Sequence, residues 1–135
     1  LLIVVPSAQV MIQRKKEADL RVCLIQLREG IDAYKKAFDE GRIQRSPADS
    51  GYPKHLEDLV TGIPDQKSPS RQTMYFLRRI PRDPFSQESA ADPENTWGKR
   101  SYASPPEAPA EGEDIFDIYS KSAARALDGT QLSQW

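Results

Sequence analysis

Between Val10 and Glu40 the chain has no proline and one glycine, Gly30. Leu20, Leu24, Leu27, Ile31, Tyr34 and Phe38 recur at alternating steps of 4 and 3. That is the spacing of one helix face and not of a strand. Cys23 joins the same face as a small apolar residue. Arg14, Lys15, Lys16, Glu17, Arg21, Arg28, Asp32 and Lys35 fall mainly on the other faces. Glu17→Arg21 and Asp32→Lys36 have the favourable i,i+4 polarity, worth about 0.3 kcal/mol each. A helix over 10–40 is roughly 45 Å long at about 1.5 Å per residue. A domain of this size cannot cover it, so one end is expected to protrude. Gly41 is the expected stop.

The rest of the chain is broken into short pieces. Ser46-Pro47 and Ser50-Gly51 are turn signals, and Tyr52-Pro53 leads into a short helix over His55–Val60 with Leu56, Leu59 and Val60 inward. Thr61–Arg71, with Gly62, Pro64 and Pro69, is expected to be loop. Met74, Phe76 and Leu77 fit a second short helix before Ile80-Pro81. Asp83-Pro84 and Asp92-Pro93 mark further turns. A strand is expected over Thr96–Ala103, then a proline-rich acidic hairpin loop over Ser104–Glu113, then a strand over Ile115–Tyr119. Ser120–Trp135 is expected to be irregular. The fold class that follows is α+β, a long N-terminal helix packed on a small antiparallel sheet with a loop-rich C-terminal half.

The opening run Leu1-Leu2-Ile3-Val4-Val5-Pro6 is apolar but far shorter than the roughly 20 residues of a membrane span. It also lacks the charged flank of a signal peptide. It reads as the remnant, over residues 1–9, of a longer hydrophobic helix, with a single domain over residues 10–135 that includes the amphipathic helix 10–40. Arg14-Lys15-Lys16 follow it, and alone they would mark a cytoplasmic flank by the positive-inside rule.

Composition narrows the function classes. The 135 residues carry 19 basic and 20 acidic side chains, so no broad basic field serves a nucleic acid. One cysteine, Cys23, rules out an internal disulfide and a cysteine-based metal cluster. The one histidine, His55, lies in His55-Leu56-Glu57-Asp58, where neighbours on a helix do not face each other. It is expected to be a surface residue. Nothing selects a catalytic pair from Glu57, Asp58, Asp83, Asp92, Glu111, Glu113, Asp114, Asp117 and Asp128. Asp83, between Pro81 and Pro84, is expected to hold a rigid turn through local backbone N–H groups. No nucleophile elbow, phosphate loop or dinucleotide fingerprint is present. No catalytic, cofactor-binding or metal residue is assigned, and an enzyme is not expected.

The order of motifs is more informative than any one of them. An apolar stub runs into a long helix; then follow Tyr52-Pro53 with Leu56 and Leu59, Ile80-Pro81-Arg82-Asp83-Pro84-Phe85, Asp117-Ile118-Tyr119-Ser120, and Asp128-Gly129. This order resembles the major pseudopilins of bacterial type II secretion systems, the general secretion pathway protein G family, within the type IV pilin-like class. The resemblance implies a pilin-like fold and a structural subunit. It would be anchored in the inner membrane through an N-terminal segment, with its globular part in the periplasm. Its partners would be further copies, other pseudopilins and the inner-membrane secretion components, and its polymerisation would drive export across the outer membrane. It also places Arg14-Lys15-Lys16 on the periplasmic side. The alternatives are a type IV pilus pilin, with roles in adhesion or motility, and an unrelated α+β binding domain. In the family Pro-x-Asp-Pro is structural, which fits Pro81-Arg82-Asp83-Pro84. The resemblance also raises calcium, bound in a loop after Tyr-Ser. Tyr119-Ser120 and Ala126-Leu127-Asp128-Gly129 match that loop, but Thr130–Trp135 supplies no carboxylate side chain. Calcium is therefore not expected, and Trp135 or Leu132 is expected to hold the tail near Tyr119.

Overall fold

Residues 7–135 are described by a computed structural model. The apolar run at Leu1–Pro6 lies outside them.

The 3–4 stripe forms one unbroken helix, α1, over Ala8–Asp39. The Ser7 hydroxyl oxygen accepts from Val10 N at 3.2 Å, satisfying one of the free N–H groups of the first turn. At the other end Gly41, at φ 75°, turns the chain out. Gly41 N donates to Phe38 O and Arg42 N to Ala37 O, the paired bonds of a Schellman ending. The Arg45 guanidinium adds a second donor to Phe38 O at 2.6 Å and also reaches Asp39 O, a further terminal carbonyl, at 3.3 Å.

Leu20, Leu24, Leu27 and Ile31 are buried, and Tyr34 is half-buried edge-on to Phe76. They pack with Leu56, Leu59, Trp97, Ile115, Ile118, Ala126 and Leu132 into the main core. A smaller cluster of Ala37, Phe38 and Ile43 sits at the helix end. Gly30 lies where the chain crosses α1: a Cβ there would come within 3.3 Å of Phe76 O and 3.5 Å of a Leu59 methyl. A second helix, α2 (Glu57–Thr61), starts behind Leu56 and buries Leu59. The fold class is thus α+β: one long N-terminal helix and two small antiparallel sheets.

The first sheet corrects the sequence reading. Ile63–Pro64 (β1) pairs with Thr73–Met74 (β2), where a loop and a short helix were expected. Two residue pairs are too few for an alternation to register in the sequence. The sheet is fastened to the end of α1. Asp65 accepts from Arg42 Nε and Nη2 at 3.1 and 2.9 Å, and Gln66 N donates to Arg42 O. The Arg42 hydrogen bonds hold the Asp65 carboxyl below its ordinary value. A carboxylate depressed in this way stabilises the fold above its unfolded pKa of about 3.9 and loses that contribution as pH falls through the folded value. The urea midpoints of wild type and Asp65→Asn should therefore differ at pH 7 and converge in acid. A gap that persists unchanged in acid would exclude this ion pair as its cause.

The second sheet was anticipated with longer strands. Trp97–Arg100 (β3) pairs with Asp117–Ser120 (β4) in the register Trp97↔Ser120 through Arg100↔Asp117. Both expected helix ion pairs, Glu17–Arg21 and Asp32–Lys36, are absent among the described residues. Lys15–Asp19 and Lys35–Asp39 form instead, at 3.0 and 2.6 Å. Glu17, expected to face Arg21 in solvent, is buried and accepts from Leu127 N at 3.0 Å. The C-terminal tail thus uses the carboxylate that local spacing assigned to the helix surface.

Candidate functional site

Of the residues with chemical potential, His55, Glu111 and Asp114 share the lining of one small cleft, while Cys23, Asp83 and Asp128 lie outside it. His55 is exposed, and its backbone N donates to Asp58 Oδ2 at 3.3 Å, fixing the start of α2. Cys23 is half-buried against Arg82 O, and burial with the nearby Asp19 and Asp83 raises its thiol pKa. A raised thiol is less often a thiolate, the reverse of an activated nucleophile.

Asp83 is buried and fully occupied. Its Oδ1 accepts from Phe85 N at 2.9 Å, the local turn bond expected from its proline flanks. Its Oδ2 accepts from the Ser120 hydroxyl at 2.6 Å, a link to β4 across 37 residues that the sequence did not indicate. Asp83 N donates to Thr96 Oγ1, and Trp97 Nε1 donates to Pro81 O at 2.7 Å. The Pro81–Pro84 turn is therefore bolted to both strands of the second sheet, a structural use of the carboxylate.

Asp128 closes a tight local turn. Its Oδ1 accepts from Thr130 N and Thr130 Oγ1 at 2.9 and 2.6 Å, and those bonds lower its pKa. No group of three or more His, Cys, Asp or Glu among the described residues is placed to hold a metal ion. The tail is held from α1. Leu132 is buried beside β4. Of the two residues expected to hold the tail near Tyr119, Leu132 does so, while Trp135 lies against the helix, with the Arg21 guanidinium 4.2 Å from its ring centroid. Arg28 draws both parts together, donating from Nε to Asp117 Oδ1 at 2.8 Å and from Nη2 to Trp135 O at 2.9 Å.

Two surfaces remain. One is the far side of α1. Met11, Ile12, Val22 and Ile25 are 62, 57, 54 and 57% exposed. At 100° per residue, Met11, Ala18, Val22 and Ile25 form a second stripe nearly opposite the core stripe. Its spacing of 7, 4 and 3 was available in the sequence but hidden by the stronger stripe. Among the described residues, no hydrogen bond from residues 8–16 reaches beyond α1 and its cap Ser7, and Lys16 Nζ stands 5.9 Å from the Phe85 ring centroid. No helix among the described residues is long and apolar enough to cross a membrane.

The other is an open groove between the 48–54 segment and the 101–114 loop. Tyr52, Tyr102 and Phe116 pack together beside it, the two tyrosines stacked at 5.7 Å and Phe116 edge-on to each. A cleft of about 200 Å³ next to it is lined by His55, Glu94, Lys99, Glu111 and Asp114, smaller than the usual size of a small-molecule site. Glu94 there accepts from Leu56 N at 2.8 Å, and Asp114 accepts from Tyr102 N at 3.0 Å. Both carboxylates serve the fold.

No protein-family model, curated protein or solved structure matches this chain.

Proposed function

We propose that this chain is the globular part of a type II secretion pseudopilin of the major type, with a pilin-like fold. The observation that carries the reading is the second apolar stripe on α1, which is left exposed among the described residues. Contiguous exposed apolar surface on a helix is unfavourable in isolation and is stabilised by association. In this reading the N-terminal segment holds the subunit in the inner membrane and then packs in a filament core. The globular part forms the outside of the filament in the periplasm. Other pseudopilins and the inner-membrane secretion machinery are its partners, and growth of the filament pushes cargo towards the outer membrane. The work is mechanical, and no catalytic residue or cofactor enters it. The ordered motifs from Tyr52-Pro53 to Asp128-Gly129 support the reading, as does the buried, structural Asp83 of Pro81-Arg82-Asp83-Pro84. A type IV pilus pilin is the alternative. The single cysteine speaks against those pilins that close their C-terminal region with a disulfide.

The test uses the whole gene product that carries this chain, expressed with its secretion system. Val22→Asp with Ile25→Asp should reduce filament yield at least tenfold while the melting temperature of the isolated domain stays within about 3 °C, because both side chains are solvated. Wild-type filament yield from that variant would remove the reading.

A further inference from the structure

The groove beside the 101–114 loop has a defined shape and a marked charge. Ser101 N donates to Ala110 O at 2.9 Å, and Tyr102 N donates to Asp114, so the loop is pinned at both ends. Its wall carries Asp49, Glu111, Glu113 and Asp114 against one basic residue, Lys54. Lys54 already stands 3.8 Å from Asp49. Glu111 and Glu113 are exposed and make no ion pair among the described residues. The aromatic cluster behind the groove already takes cations on its rings: Lys35 Nζ lies 5.6 Å from the Tyr52 centroid and the Arg100 guanidinium 5.0 Å from that of Phe116. Tyr102, 63% exposed, is the ring left open. An aromatic and acidic groove is complementary to a basic segment with apolar flanks.

Among the described residues two exposed basic pairs have apolar flanks, Arg78-Arg79 between Leu77 and Ile80 and Arg14-Lys15 beside Met11 and Ile12, and only the second adjoins the exposed apolar stripe of α1. Arg14 and Lys15 are exposed on the first turns of α1, next to Met11 and Ile12. They cannot reach the groove of their own chain. The groove adjoins the far end of the helix, where Lys35 meets Tyr52, and Arg14 is 21 residues upstream of Lys35. That separation is about 30 Å of rigid rod. We infer that the groove formed by the 48–54 segment and the 101–114 loop receives the Arg14-Lys15 turn of α1 from a second copy of this chain. The contact joins two different patches, so it is heterologous and propagates from copy to copy where an isologous contact would stop at a dimer. It rests on the assembly reading above and gives that assembly a polar, directional joint distinct from the apolar stripe.

Filaments sheared from cells carrying the whole gene product provide the test. A chain with both Lys15→Cys and Glu111→Cys should give, under mild oxidation, a ladder extending beyond dimers, and neither single variant should. Glu111→Lys with Glu113→Lys should cut filament yield at least tenfold, as should Arg14→Glu with Lys15→Glu. Combining all four should restore it to within about threefold, the signature of two charges that meet. Reversals without effect, a ladder that stops at dimers, or a four-fold variant no better than its parents would overturn the contact. Rescue of the groove variant by Arg78→Glu with Arg79→Glu would overturn it in favour of a different basic surface. If the swap is rescued while Val22→Asp with Ile25→Asp has no effect, this contact stands and the apolar-stripe reading fails. The opposite pattern leaves the stripe and removes the groove. Absence of any wild-type filament removes both.

Discussion

Removing residues 132–135 is expected to destabilise the domain by roughly 3–6 kcal/mol. Leu132 is fully buried between α1 and β4, and truncating such a leucine costs about 2–5 kcal/mol on its own. Arg28 would also lose its bond to Trp135 O, but that side chain is partly exposed and water takes up much of the loss. Trp135 adds less, since its ring lies on the Arg21 guanidinium at the surface, an arrangement worth about 0.5–1 kcal/mol. Leu132→Ala should therefore account for most of the effect and Trp135→Ala for little, as read from urea midpoints. Chelators should not reproduce it, because Asp128 spends its Oδ1 on Thr130. A calcium-dependent rise in melting temperature would mean that an ion bound only to the folded state holds the tail.

Trp97→Ala is expected to cost about 3–5 kcal/mol. The indole is completely buried at the start of β3, in contact with the helix stripe, and its Nε1 donates to Pro81 O at 2.7 Å. Two losses combine, the cavity left by a large ring and the unpaired Pro81 carbonyl. Trp97→Phe separates them. It keeps most of the apolar body and should cost about 1–3 kcal/mol, largely for the buried carbonyl. Equal destabilisation by both variants would show that the hydrogen bond to the Pro81–Pro84 turn dominates. A Trp97→Ala effect below about 1 kcal/mol would place β3 outside the core.

What the sequence disclosed depended on how far each residue's partner lies along the chain. The α1 stripe from Leu20 to Phe38 was legible because a helix repeats its pattern over many turns, and Gly41 because a helix end is a local event. Trp97 and Ile118 were legible as strand residues from their flanking turns. The β1–β2 pairing was not, since Ile63–Pro64 and Thr73–Met74 carry too little pattern and Pro64 argued against a strand. Glu17 was misplaced for a different reason. Local spacing pointed to Arg21, while the partner it took, Leu127 N, is 110 residues away. Arg28 has the same character, reaching Asp117 and Trp135. Trp135 or Leu132 was expected on the sheet because an apolar residue seeks apolar surface, and Leu132 is the one that took that place. The cation stack with Arg21 on α1 was not visible without the helix and tail in place. Among the surfaces, the exposed Val22 and Ile25 were overlooked because a single strong stripe had already explained the helix.

The fastening of the tail has a consequence for the order in which the protein is made. Leu20 and Leu24 wait for Leu132, and Glu17 waits for Leu127, so the helix is closed by residues synthesised about 110 positions after it. At translation rates of about 5–20 residues per second that interval is on the order of ten seconds. Through it α1 shows apolar side chains on two sides, one set destined for its own core and the other for solvent or a neighbour. A nascent chain in this state is an open binding partner, and chaperones or premature copies compete for the face that the tail will later cover. Release of residues 127–132 is then the event that distinguishes the two faces of the helix.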